Sequence, residues 1–344
     1  MLIAALAFAA AFGQPLVIAH RGASGERPEH TLAAYALAIE EGADFIESDA
    51  VMTRDHVLVA RHENEIGGTT DVAAHPQFAG RRTTKTIDGQ PLTGWFTEDF
   101  TLAELKTLHA RERLPELRGT AHDGRDRVPT LQEVIDLIRA EEKKRGRVIG
   151  YYVETKHPSY FRNIGFPLEE PLVALLEKNG YRTAADPIFI ESFEVANLKA
   201  LQQRTAIRLI QLMDAEGRPA DTSTTYADMA TPEGLKTIAT YAYGVGPAKA
   251  LIVPRDAEGR SLAPTRFIAD AHEAGLKVHP WTFRSENAFL PAELHKGDQP
   301  ATHGDAAAEV RQFIALGVDG FFSDFPADAI AARKSETNLP STPD

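Results

Sequence analysis

Short apolar segments alternate with longer amphipathic segments along most of this chain, and this alternation restricts the possible folds more than any other feature. It is typical of repeated βα units, in which parallel strands form one sheet covered by helices. The candidate strands are residues 16–20, 45–49, 57–62, 148–154, 188–192, 207–212, 250–253, 277–281 and 320–323. The candidate helices are residues 31–41, 131–142, 169–179, 194–203, 232–241, 264–274 and 306–316.

The length of 344 residues suits one large α/β barrel or two ordinary domains. The repeated pattern favours the first, and we predict an α/β fold of the TIM (β/α)8 type over residues 16–334. Nine candidate strands exceed the eight of such a barrel, so one should be a hairpin arm or no strand at all. The polar, turn-rich residues 63–128 break the pattern and hold a single clear helix, at 102–110. We interpret them as a small subdomain inserted after the third strand.

The two ends of the chain lack the repeated βα pattern of its middle. Residues 1–15 begin with an apolar, Ala-rich dozen that resembles the apolar region of a secretory signal, although no Lys or Arg precedes it. The apolar start predicts a periplasmic or secreted protein. The alternative is an irregular hydrophobic segment that leads into the first strand. The polar tail at 335–344 is expected to be disordered. No later segment is apolar for long enough to predict stable membrane insertion.

Composition excludes several function classes. The net charge is −12, and an acidic surface repels nucleic acid, so only a local basic pocket could hold an anion. The chain has no cysteine, which excludes disulfides, thiolate metal ligands and cysteine nucleophiles.

The first strand candidate ends in His20 and Arg21 and opens into a turn that contains Gly22 and Gly25. Glycine lets a ligand approach the backbone closely, and arginine presents a planar fork that suits phosphate oxygens. Taken alone, a histidine at a strand end is more often a hydrogen-bonded structural residue. A functional role for His20 and Arg21 therefore needs support from the residues at the other strand ends.

Two carboxylates, Glu47 and Asp49, stand at alternate positions of the second strand candidate, so both point to one face. Two anions forced together repel, and a hard cation is the commonest reason for a protein to tolerate them. A solvated strand end is the alternative, but apolar Phe45, Ile46 and Val51 indicate partial burial. We interpret the pair as metal ligands.

Two further strand candidates end in ionisable side chains, namely His62 and the pair Glu154 and Lys156, which share one face. The alternative for Lys156 is that it only neutralises Glu154. Since the carboxyl ends of parallel barrel strands meet at one rim, we expect all these groups to converge there with His20.

These residues carry a resemblance to a known family. The segments HRGASG at 20–25, PEHT at 28–31, GADFIESD at 42–49, ETK at 154–156, VHPWTFR at 278–284 and SDFP at 323–326 resemble the glycerophosphodiester phosphodiesterases. The resemblance spans the chain after residue 15 and is strongest to the bacterial periplasmic, calcium-dependent members. One departure is Glu63, where the family usually has Asp after the histidine.

The resemblance implies hydrolysis of deacylated phospholipids, such as glycerophosphocholine and glycerophosphoethanolamine, to sn-glycerol 3-phosphate and an alcohol. It assigns one divalent cation, Ca²⁺ with Mg²⁺ as the alternative, to Glu47, Asp49 and Glu154. The remaining roles are general acid/base catalysis by His20 and His62 and phosphate binding by Arg21 and Lys156.

An apolar wall beside the glycerol moiety is expected from three aromatic residues, Trp281, Phe283 and Phe325, with a core position as the alternative. Two other functions compete with the leading one. The first is lysophospholipase D or sphingomyelinase D-like activity on lysolipids, and the second is a surface protein that binds without turnover.

Overall fold

Eight parallel strands, hydrogen-bonded side by side around a ring, organise this protein, whose computed structural model describes residues 14–336. The strands of the chain are β1 (Leu16–Ala19), β2 (Phe45–Met52), β3 (Leu58–Ala60), β4 (Thr83–Ile87), β5 (Gln90–Gly94), β6 (Gly150–Thr155), β7 (Ile188–Ser192), β8 (Arg208–Met213), β9 (Gly244–Pro247), β10 (Lys277–Val278) and β11 (Gly320–Ser323). The order around the sheet is β10-β9-β8-β7-β6-β2-β1-β11. The predicted TIM-type barrel is confirmed.

The ring closes between the last two strands of the chain. Three backbone hydrogen bonds join them, from N–H to carbonyl: Asp319 to Val278 (3.0 Å), Phe322 to Pro280 (3.0 Å) and Phe283 to Phe322 (2.8 Å). Because a closed ring has no free edge, every barrel strand has a partner on both sides.

Helices cover the outside of the barrel. They are α1 (Leu32–Glu41), α2 (Leu102–Leu105), α3 (Pro115–Arg118), α4 (Leu131–Arg145), α5 (Pro158–Asn163), α6 (Glu169–Lys178), α7 (Val195–Gln202), α8 (Tyr226–Met229), α9 (Pro232–Ile238), α10 (Phe267–Glu273), α11 (Ala306–Ala315) and α12 (Pro326–Glu336). Local sequence sets their ends, as α4 shows. It begins in a reciprocal capping box between Thr130 and Glu133 and ends at Gly146, whose φ of 64° is left-handed.

Two strand predictions need correction. Residues 57–62 form no barrel strand, because β3 pairs antiparallel with β2, so this candidate is the expected hairpin arm. Residues 250–253 are also wrong: the barrel strand lies earlier, at Gly244–Pro247, and Lys249–Leu251 is a 3₁₀ turn. A strand of sequence GVGP lacks the apolar run used to recognise strands. Glycine is required there, because a Cβ on Gly244 would lie 2.6 Å from the Lys277 carbonyl oxygen.

Residues 63–128 contain the β4–β5 hairpin, α2, α3 and three 3₁₀ turns at Val72–Ala74, Pro76–Arg81 and Thr97–Asp99. The helix predicted over 102–110 is shorter, because α2 ends at Leu105. Ile66, Phe78 and Phe100 of this segment belong to the same buried apolar cluster as the barrel helices. The segment is therefore packed onto the barrel and shares its core.

The ends of the chain fall partly outside the described residues. Residues 1–13, most of the predicted signal segment, and residues 337–344 of the predicted tail are not described, whereas Ser335 and Glu336 complete helix α12. Within residues 14–336, no helix has both the length and the apolar character needed to cross a membrane.

The inside of the barrel is filled by alternate residues of the strands. Leu16, Ile18, Phe45, Tyr152, Phe189, Ile210 and Phe322 form one buried cluster there. Their rings pack at 4.8 Å between Tyr152 and Phe189 and at 5.2 Å between Phe45 and Phe189. The next side chain on the same face of each strand, two residues closer to its carboxyl end, must therefore lie at the barrel mouth.

We expect Gly150→Ala to lower the free energy of unfolding by about 1–3 kcal/mol, because an added methyl overpacks this interior. A Cβ at Gly150 would lie 2.2 Å from the Phe45 ring. Urea unfolding followed by circular dichroism measures the effect. Val148→Ala, at a neighbouring residue that is 51% exposed, is the control and should change stability by less than about 0.5 kcal/mol. Equal stability of both variants would contradict this packing.

Candidate active site

Ionisable side chains meet at the carboxyl end of the barrel, two residues beyond the members of the interior cluster on the same strands. Residue Ile18 is followed on the same face by His20, Phe45 by Glu47, and Tyr152 by Glu154. A cavity of about 320 Å³ opens there. Its lining includes His20, Arg21, Glu47, His62, Glu154, Lys156, Glu191, Phe193, Leu212, Asp214, Trp281, Thr282, Arg284 and Phe322. Most of the predicted site residues are thus brought together.

The loop after β1 aims Arg21 into this cavity. Its φ is 59°, a left-handed backbone uncommon for a residue with a side chain, and its N–H donates to Glu47 Oε2 at 2.6 Å. Its guanidinium donates to Glu29 Oε2 at 3.0 Å and lies 3.5 Å from Asp49 Oδ2. The next residue must be glycine, because a Cβ on Gly22 would lie 2.7 Å from the backbone of Ala34. The turn therefore places one arginine beside the carboxylates.

The ring of His20 is oriented by Asp324, the residue after β11. His20 Nδ1 lies 2.6 Å from Asp324 Oδ1, and the acceptor-only carboxylate assigns the proton to Nδ1. Burial, reinforced by Arg21, lowers the pKa of His20 to about 4. Although burial raises the pKa of Asp324, Arg284 and Arg118 help to hold it well below its usual value. His20 is therefore neutral at neutral pH, with Nε2 free to accept a proton.

The second histidine has the same arrangement. His62 Nδ1 donates to Glu63, and Nε2 accepts from Lys156 Nζ at 3.3 Å. Burial, then Arg21 and Lys156, lower the pKa of His62 to about 3. Glu63, the departure noted in the sequence, thus orients this ring and also accepts from Arg113 at 2.7 Å.

His62 reaches the mouth by a route that differs from the prediction. It was expected at the end of a parallel strand, but β3 runs antiparallel to β2, with Ala60 opposite Ala50. The Arg61 N–H then donates to the Asp49 carbonyl at 3.1 Å. The hairpin thus returns the chain to the level of Asp49 and delivers His62 to the cavity.

Three buried carboxylates lie close together at the mouth: Glu47 and Glu154 line the cavity, and Asp49 lies beside them. Lys156 Nζ lies 2.8 Å from Glu154 Oε1 and 4.0 Å from Asp49 Oδ1, and His30 Nε2 lies 2.7 Å from Asp49 Oδ2. Burial and then Asp49 raise the pKa of Glu47 well above its usual value. Burial also raises the pKa of Glu154 to about 8, although Lys156 opposes it. By contrast, although burial raises the pKa of Asp49, Lys156, His62 and His30 hold it well below its usual value. Glu47 and Glu154 therefore lack enough positive charge, whereas Asp49 does not.

A fourth carboxylate, Glu191 on β7, was missed by the sequence analysis. It is 2% exposed, lines the cavity and stands opposite Glu154 in the register of β6 and β7. Its Oε2 has no hydrogen-bond partner among the described residues. Burial and the charges of Glu154, Glu47 and Asp49 raise its pKa well above the usual value. The signal was present in the sequence, because Glu191 follows Phe189 as Glu154 follows Tyr152.

The donor chemistry at the mouth fits a hard divalent cation. Glu47, Asp49, Glu154 and Glu191 offer only carboxylate oxygens as ligand atoms, and the buried Oε2 of Glu191 accepts no hydrogen bond from the described residues. The side chains of residues 14–336 nevertheless include no group of three or more His, Asp and Glu already arranged as a ligand set. The Lys156 ammonium supplies positive charge among them in this structure.

Other predicted residues fall in different places. Trp281 lines the cavity, with its indole N–H donating to the Gly246 carbonyl at 2.8 Å. Phe325 does not lie beside this cavity: its ring packs against Gly25, where a Cβ would lie 2.3 Å from it, and borders a separate cavity. Phe283 takes the alternative core position, with its ring 5.0 Å from that of Phe313. The predicted wall therefore keeps Trp281, next to Phe193 at a ring distance of 5.8 Å, but neither Phe283 nor Phe325.

Comparison with known proteins agrees with this geometry. The family model for the glycerophosphoryl diester phosphodiesterase family matches residues 20–328. Glycerophosphodiester phosphodiesterase GDPD6 of Arabidopsis thaliana is 37% identical over 341 residues, covering 95% of this chain and 88% of that protein. A glycerophosphodiester phosphodiesterase of Bacillus subtilis is 30% identical over 319 residues, covering 90% of this chain and 84% of that protein.

Two solved structures share the fold. The glycerophosphodiester phosphodiesterase of Agrobacterium tumefaciens has a TM-score of 0.57 at 19% identity, covering 92% of this chain and 99% of that one. A phosphodiesterase of Oleispira antarctica, solved in complex with its product sn-glycerol-3-phosphate, has a TM-score of 0.60 at 21% identity, covering 95% of this chain and 98% of that one. From its sequence and its barrel, this chain belongs to the glycerophosphoryl diester phosphodiesterase family, a family of enzymes.

Proposed function

We propose that this enzyme hydrolyses glycerophosphodiesters, including glycerophosphocholine and glycerophosphoethanolamine, to sn-glycerol 3-phosphate and an alcohol. One observation carries the proposal: two histidines, each with Nδ1 on a carboxylate, line one cavity with Arg21 and Lys156. The names of the relatives and the product in the Oleispira structure support the substrate class.

The histidines would move the protons. One Nε2 takes a proton from the nucleophile, water or the glycerol 2-hydroxyl of the substrate, as it attacks phosphorus. The other Nε2 delivers a proton to the alcohol oxygen as its bond to phosphorus breaks. The bound phosphodiester anion favours the charged imidazolium that this second step requires.

Two cations would hold the phosphate. Arg21 presents its fork beside Glu29 and Asp49, and Lys156 lies between Glu154 and His62. Because the side chains of Arg21 and Lys156 are only 11% and 8% exposed, both would stabilise charge on the phosphoryl oxygens in the transition state.

We also propose one divalent cation, Ca²⁺ in preference to Mg²⁺, held by Glu47, Asp49 and Glu154, to which Glu191 is added on the evidence of its orphaned oxygen. Four neighbouring carboxylates offer many oxygen atoms, which favours a cation that takes many oxygen ligands. When bound, the cation would polarise a non-bridging phosphate oxygen.

We expect His20→Ala and His62→Ala to lower the turnover of glycerophosphocholine by about 10²- to 10⁴-fold, because each removes a proton carrier. Phosphorus NMR of the purified protein follows glycerol 3-phosphate, and bound metal should be retained. His272→Ala, whose ring pairs with Asp319 on the barrel exterior, is the control. Near-normal turnover in either variant would refute the acid/base assignment, and faster turnover of lysophosphatidylcholine would refute the substrate class.

Removal of Ca²⁺ with a chelator should abolish turnover, and added Ca²⁺ should restore it. Glu47→Gln and Glu191→Gln should each weaken Ca²⁺ binding by about 10- to 100-fold. Calorimetric titration measures the affinity, and the rise in melting temperature with Ca²⁺ gives a second readout. Glu177→Gln, an exposed change on α6, is the control. Binding unchanged in Glu191→Gln would remove that residue from the site, and turnover insensitive to the chelator would remove the cation.

We propose that the enzyme acts in the periplasm or outside the cell, with support from the apolar, Ala-rich start of the chain. Expression of the full chain in a Gram-negative host should release a protein that lacks the first residues into the periplasmic fraction. Mass spectrometry of the amino terminus checks this. A chain that keeps Met1 and stays in the cytoplasmic fraction would contradict it.

A further inference from the structure

Two arginines of the inserted segment, Arg113 and Arg118, reach the carboxylates that orient the two histidines. Arg118 donates to Asp324 Oδ2 at 2.6 Å, and Arg113 donates to Glu63 Oε2 at 2.7 Å. Arg113 lies two residues before the short helix α3, and Arg118 is the last residue of that helix. The insertion thus contacts both histidine–carboxylate pairs, although neither arginine lines the active-site cavity.

Arg118 is held on three sides. It also donates to Glu286 Oε1 at 2.7 Å and to the Ser24 carbonyl at 2.9 Å. The Ser24 hydroxyl in turn donates to the His20 carbonyl at 2.7 Å. One side chain, 7% exposed, therefore ties the carboxylate that orients His20 to the turn that follows His20.

Arg113 has a corresponding role on the other side of the cavity. Its guanidinium donates to both Glu29 oxygens, at 2.7 and 2.6 Å, and to both Glu63 oxygens, at 3.1 and 2.7 Å. Glu29 also accepts from Arg21. Arg113 thus connects Glu63, which orients His62, with Glu29, which holds the proposed phosphate-binding Arg21.

Such contacts fix geometry as well as charge. A guanidinium is planar and donates in set directions, so two carboxylates bound to one fork are held at a defined separation. A carboxylate in this position sets the tautomer and the ring orientation of its histidine. Without its arginine, a buried carboxylate would lose part of its charge compensation and could leave the ring.

We propose that Arg113 and Arg118 are positioning residues for hydrolysis, and that the inserted segment serves to hold His62 and His20 in their reactive orientation. The inference rests on the proposed acid/base function of the histidines. It gives the insertion a catalytic purpose without contact between these arginines and the substrate.

The test compares Arg113→Gln and Arg118→Gln with Arg111→Gln, a matched control in the same segment whose side chain is 52% exposed. Each positioning variant should lower kcat for glycerophosphocholine by about 10- to 100-fold. KM should change much less for Arg118→Gln, and the control should keep normal kcat. If a glutamine variant fails to fold, Arg113→Lys and Arg118→Lys replace it, since lysine keeps the charge but loses the fork.

Double-mutant cycles decide whether the arginines act through the carboxylates. Arg118→Gln in an Asp324→Asn background should change kcat by less than about twofold. Arg113→Gln in a Glu63→Gln background should change kcat by less than Arg113→Gln alone does, because only its contacts with Glu29 remain to be lost. Nitrogen-15 NMR of the imidazole rings should show loss of the Nδ1–H form of His20 in Arg118→Gln. A lower melting temperature with normal kcat, or additive losses in both cycles, would overturn the proposal.

The outcomes separate this inference from the proposed function. If His20→Ala and His62→Ala keep normal turnover, the acid/base function fails and the positioning proposal falls with it. If both lose turnover while the cycles are additive, the function stands and only the positioning proposal is overturned.

Discussion

Charge buried at the barrel mouth is the constraint on which the rest of the site depends. A charged group that is removed from water is tolerated only when opposite charge or hydrogen-bonding partners replace the water. At the barrel mouth, many charged side chains are removed from water together. The result is a chain of alternating charges from Arg21 through Glu29 and Arg113 to Glu63, which in turn orients the neutral ring of His62. Each contact restricts the next, so the loops around the mouth have little freedom in where they place their side chains.

The parts of the site that lie on barrel strands could be predicted from the sequence. A strand presents alternate residues to one face, so Glu47 and Asp49 had to point together, and the ends of parallel strands had to meet. These rules need only local sequence, and they brought His20, Glu154 and Lys156 to one cavity correctly. The same rules also predict that Glu191 lies at the barrel mouth, but it was overlooked because it was taken as part of an apolar strand.

The remaining features depend on contacts that no local pattern encodes. Arg113 and Arg118 lie in a segment without periodicity, and their partners Glu29 and Asp324 are 84 and 206 residues away. The antiparallel turn that delivers His62 reverses the direction expected from a run of βα units. In the strand Gly244–Pro247, the close approach of neighbouring backbone required glycine, which removed the apolar signal.

The bond between His20 and Asp324 joins residues separated by 304 positions, close to the two ends of the barrel. β1 and β11 are the first and last strands of the barrel and lie side by side, so a nascent chain contains His20 long before it contains Asp324. Ordered contacts over such a separation form late, because a long loop must close first. The proposed catalytic pair of His20 and Asp324 can therefore form only after the last barrel strand has been made, and a chain that stops before β11 lacks the group that orients His20.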